Sequence, residues 1–214
     1  SENSNIIVNA HKINNGQEPI LNEKNSDFFF LKTETPAITR NVVVDLISKR
    51  LPKAYGYDFS RDIQILTQSR KGICGVFELN RLLQDILNPK NEETDEILVG
   101  NKLFRVNDKV MQTKNNYNLS FVDSDGEENF GVYNGDMGHI IFIDKSSKKL
   151  TVEMDDKRLI DYTLEDLDNL ELAYAITIHK SQGSEFKSVI IPMFDGYKLL
   201  QTRNLLYTAI TRAK

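Results

Sequence analysis

The chain has 214 residues, 40% hydrophobic and 27% charged, which is ordinary globular composition and excludes disordered and collagen-like classes. No run approaches 18 apolar residues, so no membrane-spanning helix is expected, and the single cysteine, Cys74, excludes an internal disulfide and a cysteine-based zinc site. The net charge of −4 argues weakly against a polyanion binder, but residues 171–214 hold six Lys+Arg against three Asp+Glu, while residues 101–170 hold nine against fourteen.

In chain order, Ser4 followed by Ile6, Ile7, Ala10 and Ile13 predicts an N-capped amphipathic helix. Residues 15–26 are polar and turn-rich. The run Asp27–Lys32 (DFFFLK) predicts a short buried strand. Thr35-Pro36 opens a helix with a cap and a proline in its first turn. Ile38, Val42, Leu46 and Ile47 form its apolar face, and Pro52 ends it. Asp62–Thr67 (DIQILT) predicts a second buried strand, and Arg70–Gly75 (RKGICG) a loop. A helix from about Val76 to Leu87 follows, stopped by Asn88-Pro89.

From about residue 98 the rhythm changes. Lys102–Arg105, Asp108–Thr113, Asn129–Tyr133, His139–Asp144, Lys149–Met154 and Arg158–Tyr162 read as short strands. Turn signals at Asn115-Asn116, Asp125-Gly126, Asn134-Gly135 and Ser146-Ser147 separate them. Spacing of this kind predicts a small antiparallel barrel. Near 170 the α/β rhythm returns, with strands at Ala173–Ile176 and Ser188–Pro192, a turn at Ile178–Gln182 and a helix at Thr202–Ala213. The simplest organisation is an α/β domain of 1–98 and 171–214 interrupted by a β module of 99–170.

No GxxxxGK[ST] loop, HExxH or GxSxG is present, and His11, His139 and His179 are scattered. The acidic run at 123–128 is read as a solvated hairpin tip, since it lacks a complete calcium-loop pattern; no metal site is expected. The informative stretch is AYAITIHKSQGSEF, residues 173–186. A strand ends near Thr177, and His179, Lys180, Ser181 and Gln182 follow in one turn before Gly183. Polar groups at the C-terminal edge of a parallel strand are where α/β proteins place ligands. Hydroxyls, a lysine and turn N–H groups suit phosphate oxygens, and Glu185 suits a ribose. A helix cap between two strands fits the same residues equally well. In LLYTAITRAK, residues 205–214, Arg212 stands among Ala209, Thr211 and Ala213, small neighbours that leave a guanidinium free to reach a polyphosphate. An ordinary helix-terminal arginine is the plainer alternative.

AITIHKSQGSEF followed by LLYTAITRAK resembles motifs V and VI of superfamily 1 helicases. SNIIVNAHKINNGQEPIL, DIQILTQSRKGICGVFELNRLLQDILNP, NDKVMQTKNNYN and GVYNGDMGHI resemble stretches of the RecD-like helicases, the family of the exodeoxyribonuclease V alpha subunit. The resemblance covers nearly the whole chain. It implies an α/β fold: a second RecA-like motor lobe carrying an inserted Src-homology-3-like (SH3-like) barrel. In that family the phosphate loop and the magnesium-binding acidic motif lie on the first lobe. Neither is present here, so the chain resembles the C-terminal half of a motor and is expected to be inactive alone.

Residue by residue, the resemblance makes Arg212 the motif VI arginine that reaches the ATP γ-phosphate, and Arg70 in QSRKG the motif IV arginine, with Lys71 adjacent. Glu185, with Gly183 at the turn and Gln182 before it, matches the nucleotide-binding part of motif V. Thr177 and His179 match its single-stranded-DNA contacts, with Lys180 and Ser181 beside them. In the barrel, Lys114, Asn115, Asn116 and Tyr117 are further DNA candidates, although an Asn-Asn-Tyr hairpin also serves simply as a turn. The implied cofactors are ATP and Mg²⁺ in the full-length protein, with none held tightly by this piece. The implied partners are single-stranded DNA, a first RecA-like lobe of the same chain and, in nuclease–helicase complexes, other subunits. The cytoplasm is the expected compartment. The competing reading is a non-catalytic nucleic-acid-binding or protein-interaction module on a helicase-like scaffold.

Overall fold

Ser4 stands at the N-cap of the first helix, α1 (Asn5–Asn14), with the extended backbone a cap requires. Its hydroxyl donates instead to Asp27 Oδ2 at 2.5 Å. Ala10 and Ile13 on the buried face of α1 pack with Ile210, Phe28, Ile191 and Leu206. The computed structural model describes residues 4–21, 23, 26–193 and 206–214.

Helix α2 (Pro36–Asp45) is capped by Thr35, whose Oγ1 accepts from Ile38 N at 3.2 Å. The chain does not leave the helix at Pro52. It passes through a π-helical turn at Leu46–Arg50 and continues as α3 (Leu51–Tyr55). Pro52 sits in the first turn of α3, where a missing N–H is tolerated. Gly56, at φ 69°, ends α3 in the left-handed conformation that favours glycine.

The next elements are β1 (Ile63–Thr67) and α4 (Val76–Leu87). Nine strands follow: β2 (Glu96–Val99), β3 (Lys102–Arg105), β4 (Lys109–Gln112), β5 (Asn116–Val122), β6 (Glu128–Val132), β7 (Met137–Asp144), β8 (Lys149–Met154), β9 (Leu159–Tyr162) and β10 (Leu170–Leu172). The chain then forms β11 (Ala175–Thr177), β12 (Ser188–Ile190) and a helical segment, α5, at 206–210. Of the C-terminal helix expected at Thr202–Ala213, residues 202–205 lie outside the described residues.

The chain divides into two compact units, Ser1–Leu79 with Ala175–Lys214, and Asn80–Tyr174. In the first unit three parallel strands run in the order β11-β1-β12. The central strand β1 is buried along its whole length, as its unbroken apolar run requires. The expected strand at Asp27–Lys32 is absent. The segment forms no regular element and joins no ladder among the described residues, and Phe29, Phe30 and Leu31 are 63%, 54% and 46% exposed. A continuous apolar run marks a surface suited to burial; it does not supply the neighbouring strand that a ladder needs.

In the second unit, β10-β4-β7-β8-β9-β5-β6 form a curled antiparallel sheet, and β2 pairs with β3 as a separate hairpin. Its core gathers Phe104, Val110, Ile140, Leu150, Val152, Ile160, Tyr162 and Leu170. The unit starts at Asn80, upstream of the 99–170 segment expected from strand spacing, because it includes the later turns of α4 and the β2–β3 hairpin. Beneath the sheet Asp108 is fully buried. It accepts from Gln84 Nε2 at 2.7 Å, Asn88 Nδ2 at 2.8 Å, Tyr174 OH at 2.8 Å and Arg105 N at 2.7 Å. Burial pushes its carboxyl above the ordinary aspartate range, against the pull of these donors.

Candidate functional site

The site follows from the register of two parallel strands. Thr67 of β1 pairs with Thr177 of β11, and Ile178 N donates to Thr67 O at 3.0 Å. The loops leaving these strands therefore emerge side by side at the C-terminal edge of the sheet, where α/β folds put their ligands. One loop carries Arg70; the other carries His179.

The loop after β1 is tightly closed. Gly75 N donates to Gly72 O at 3.0 Å, Val76 N to Ser69 O at 3.1 Å and Phe77 N to Arg70 O at 3.1 Å. Thr67 Oγ1 donates to Cys74 O at 2.6 Å. A Cβ at Gly75 would lie 2.4 Å from Lys71 O, so no larger residue fits without moving backbone. Burial pushes the Cys74 thiol up, opposed by Arg40 nearby. Arg70 is exposed, with its guanidinium carbon 5.0 Å from the Phe77 ring centroid. Lys71, Gly72, Ile73, Phe77 and Glu78 line a shallow open concavity of about 440 Å³.

The loop after β11 is a short 3₁₀ turn, His179–Ser181. Thr177 Oγ1 accepts from Lys180 N at 3.2 Å and so caps that turn. Ser181 is fully buried and donates to Ile178 O at 2.6 Å. In this conformation its hydroxyl props the turn from inside. His179, Gln182 and Gly183 are exposed, and Lys180 is half-buried. Gly183 takes φ 81°, and a Cβ there would meet nothing within 4 Å. Conformation, not space, calls for glycine at this position.

The chain then returns along α5. Phe186 N donates to Arg212 O at 2.7 Å, and Lys214 N to Phe186 O at 2.8 Å. This strap, with a parallel bridge between Phe186 and Ala213, brings Arg212 beside Ser184 and Glu185. Arg212 Nη1 donates to Ser184 O at 3.2 Å, Nε to Thr208 O at 3.2 Å and Nη2 to Thr211 Oγ1 at 3.3 Å. Glu185 is 59% exposed and pairs with Lys214 at 3.0 Å. Within the first unit the fold thus joins Thr177, His179, Lys180, Ser181, Gln182, Gly183 and Glu185 with Arg212, and sets the Arg70 loop beside the β11 turn. Neither the Gly75 close approach nor the Phe186 strap was singled out from sequence. The repeated glycines of RKGICG were the available signal for the first; the second is a long-range backbone contact with no local signature.

Asn116 and Tyr117 lie in the second unit, at the start of β5. Asn116 Oδ1 accepts from Asn118 N and Leu119 N, both at 3.1 Å, so this side chain shapes the strand entry. Tyr117 is 67% exposed and meets Tyr133 edge-on at 5.8 Å between centroids. Asn115 ties the pair together, donating to Tyr117 OH at 3.4 Å and accepting from Asn134 N at 2.9 Å. The acidic tip at 123–128 folds on itself, with Asp123 Oδ1 accepting from Asp125 N and Glu127 N at 2.9 Å. Among the described residues no three or more His, Cys, Asp or Glu side chains gather to hold a metal ion, and no helix is long and apolar enough to cross a membrane.

Two family models match this chain. Residues 79–154 match the ATP-dependent RecD-like DNA helicase SH3 domain, and residues 172–214 match the UvrD-like helicase C-terminal domain. The chain is 32% identical over 209 residues to the ATP-dependent RecD2 DNA helicase of Deinococcus radiodurans, covering 98% of this chain and 26% of that protein. It is 32% identical over 151 residues to the RecBCD enzyme subunit RecD of Mycolicibacterium smegmatis, covering 71% of this chain and 24% of that one. Among solved structures, the Bacteroides Pif1 helicase in complex with ADP-AlF3 and ssDNA superposes with a TM-score of 0.54 at 18% identity, over 98% of this chain and 47% of that one. Pif1 from Candida albicans gives 0.50 at 15%, over 97% and 50%. The fold is that of a RecA-like parallel-sheet unit whose chain is interrupted by an SH3-like barrel. The chain is thus similar to RecD-like DNA helicases along nearly its whole length. It spans about a quarter of the length of the curated relatives it matches.

Proposed function

We propose that this chain is the second motor lobe of an ATP-dependent translocase on single-stranded DNA. In this reading it supplies cationic groups to a nucleotide held mainly by another lobe, and grips the DNA backbone beside them. The observation that carries it is the strap from Phe186 to Arg212, which sets a guanidinium next to Ser184 and Glu185 at the edge of the parallel sheet.

The donor set suits a nucleotide. Arg212 offers a planar cationic fork, the geometry that matches phosphate oxygens, and its present partners are neutral oxygens. Such bonds orient the group while leaving its charge uncompensated. Glu185 presents an exposed carboxylate to accept from ribose hydroxyls. ATP, when bound, supplies the transferable γ-phosphoryl group. Arg212 and Arg70 would stabilise charge developing there. The residues that would hold magnesium are proposed to lie outside this chain. His179 and Lys180, on the capped turn after β11, would contact DNA phosphates, which grips without reading sequence. Tyr117 on the barrel would offer a ring face to a base. The 5′-to-3′ direction of movement belongs to the same family-based proposal.

The test is ATP turnover by the purified 214-residue chain, with and without single-stranded DNA. None is expected in either case. DNA-stimulated turnover by this chain alone would overturn the reading.

A further inference from the structure

The parallel sheet has a second edge. Ile63 of β1 pairs with Ser188 of β12 at the strands' N-terminal ends, and Ser188 N donates to Asp62 O at 2.9 Å. Thr67 and Thr177, which lead into the candidate site, pair at the opposite ends. At the N-terminal edge the sequence Tyr55-Gly56-Tyr57 closes α3. Gly56 turns the chain tightly enough for the two tyrosines to stack, with centroids 5.2 Å apart and planes 22° from parallel. Lys187, the residue before β12, holds its ammonium 4.8 Å from the Tyr57 ring centroid. One face of Tyr55 lies on Tyr57, yet Tyr55 is 52% exposed. Its other face is open to a further planar group.

The surrounding charge is positive. Lys49 and Lys53 are exposed on the helical turns that lead into Tyr55. Lys49, Lys53 and Lys187 have no carboxylate partner among the described residues, whereas Arg50 has Asp45 at 3.9 Å. The two carboxylates of the neighbouring loop are turned onto that loop. Asp58 Oδ1 accepts from Ser60 N at 2.8 Å and Arg61 N at 3.0 Å, and Asp62 Oδ2 accepts from Asp58 N at 2.9 Å. An exposed aromatic stack with one ammonium group against it, and two further exposed lysines without carboxylate partners on the preceding helical turns, suits a planar base flanked by phosphates. An acidic protein segment would use the lysines and leave the stacking face without purpose.

We propose that Tyr55, with Lys49, Lys53 and Lys187, forms a second single-strand nucleic-acid contact at the sheet edge opposite the candidate site. One base stacks on the open face of Tyr55, and the adjoining phosphates lie against the lysines. The contact is indifferent to base identity, because a ring face and ammonium groups read neither donor nor acceptor patterns.

The chain contains no tryptophan, so Tyr55→Trp installs a single fluorescent reporter on an exposed position. An oligo(dT) strand at low salt is expected to quench its emission, and added salt to restore it. In titrations of a labelled oligo(dT), Tyr55→Ala should weaken binding about tenfold and Tyr55→Phe less than twofold. Lys53→Gln and Lys187→Gln should each reduce the slope of log affinity against log salt by about 0.7. Absence of quenching, or quenching that added salt does not reverse, would overturn the proposal. Equal quenching by poly-glutamate would overturn it in favour of an acidic protein partner.

Discussion

The barrel unit and the sheet unit use their polar side chains in opposite ways. In the barrel unit Asp108 lies at the centre of a buried web, bonded to Gln84, Asn88, Tyr174 and the Arg105 backbone. Arg105 is likewise buried, between Glu96 at 3.0 Å and Asn88 O at 2.8 Å. Such groups are satisfied from within and define one arrangement. In the sheet unit Arg70, His179, Gln182 and Glu185 stand exposed at a strand edge. The lesson is that buried polar groups here specify a fold, whereas those at the strand edge are turned to the surface.

The largest test of that contrast is Arg212→Ala in the full-length parent. DNA-stimulated ATP turnover should fall about a thousandfold, the lower end for losing such an arginine. Single-strand binding should stay within twofold. Arg212→Lys should recover little, because an ammonium lacks the planar fork. Turnover within twofold of wild type would return Arg212 to the role of a surface arginine.

Asp108→Ala tests the other side of the comparison. It strands the side-chain donors of Gln84, Asn88 and Tyr174 in a dry interior, so a loss of about 3 kcal/mol in urea melts is expected. The milder Asp108→Asn gives a pH signature. The folded-state carboxyl of Asp108 is raised above its unfolded value, so the folded state holds the proton more tightly and wild-type stability falls as pH rises through that range. An asparagine has no such dependence. Wild type should therefore lose ground to the variant as pH rises above the ordinary aspartate range of about 4; a constant difference would mean that burial does not weigh on this carboxylate.

Much of the fold was legible in the sequence, and the reasons are local. The apolar stripe of α4 gave its bounds as observed, Val76–Leu87. Lys102–Arg105 and Lys149–Met154 were readable because alternation and turn residues agree there. Strand β5 was missed because Asn115-Asn116 resembles a turn, whereas Asn116 opens the strand by accepting from two backbone N–H groups. Asp27–Lys32 misled in the other direction, since apolarity alone cannot reveal whether a ladder partner is present. At the site, the polar cluster after β11 was visible as a cluster. Which of its members faces outward was not: Ser181 turns inward through a bond to Ile178 O that no pattern announces.

The smallest effects separate the two loops of the site itself. Gly75→Ala places a methyl 2.4 Å from the carbonyl oxygen of Lys71, against backbone that is fixed by three loop hydrogen bonds. Something must move, and a loss of about 2 kcal/mol is expected. Gly183→Ala meets no neighbour, so only its φ of 81° opposes the change. The left-handed region costs an L-residue about 1 kcal/mol, and Gly183→Asn, better tolerated there, should cost about half as much. The order Gly75→Ala, Gly183→Ala, Gly183→Asn in thermal melts would establish that one loop is shaped by space and the other by conformation. Equal losses for alanine at both positions would break that distinction. A Gly183→Ala loss above about 3 kcal/mol would mean that the turn after β11 is packed as closely as the loop after β1, since strain at φ alone does not reach that size.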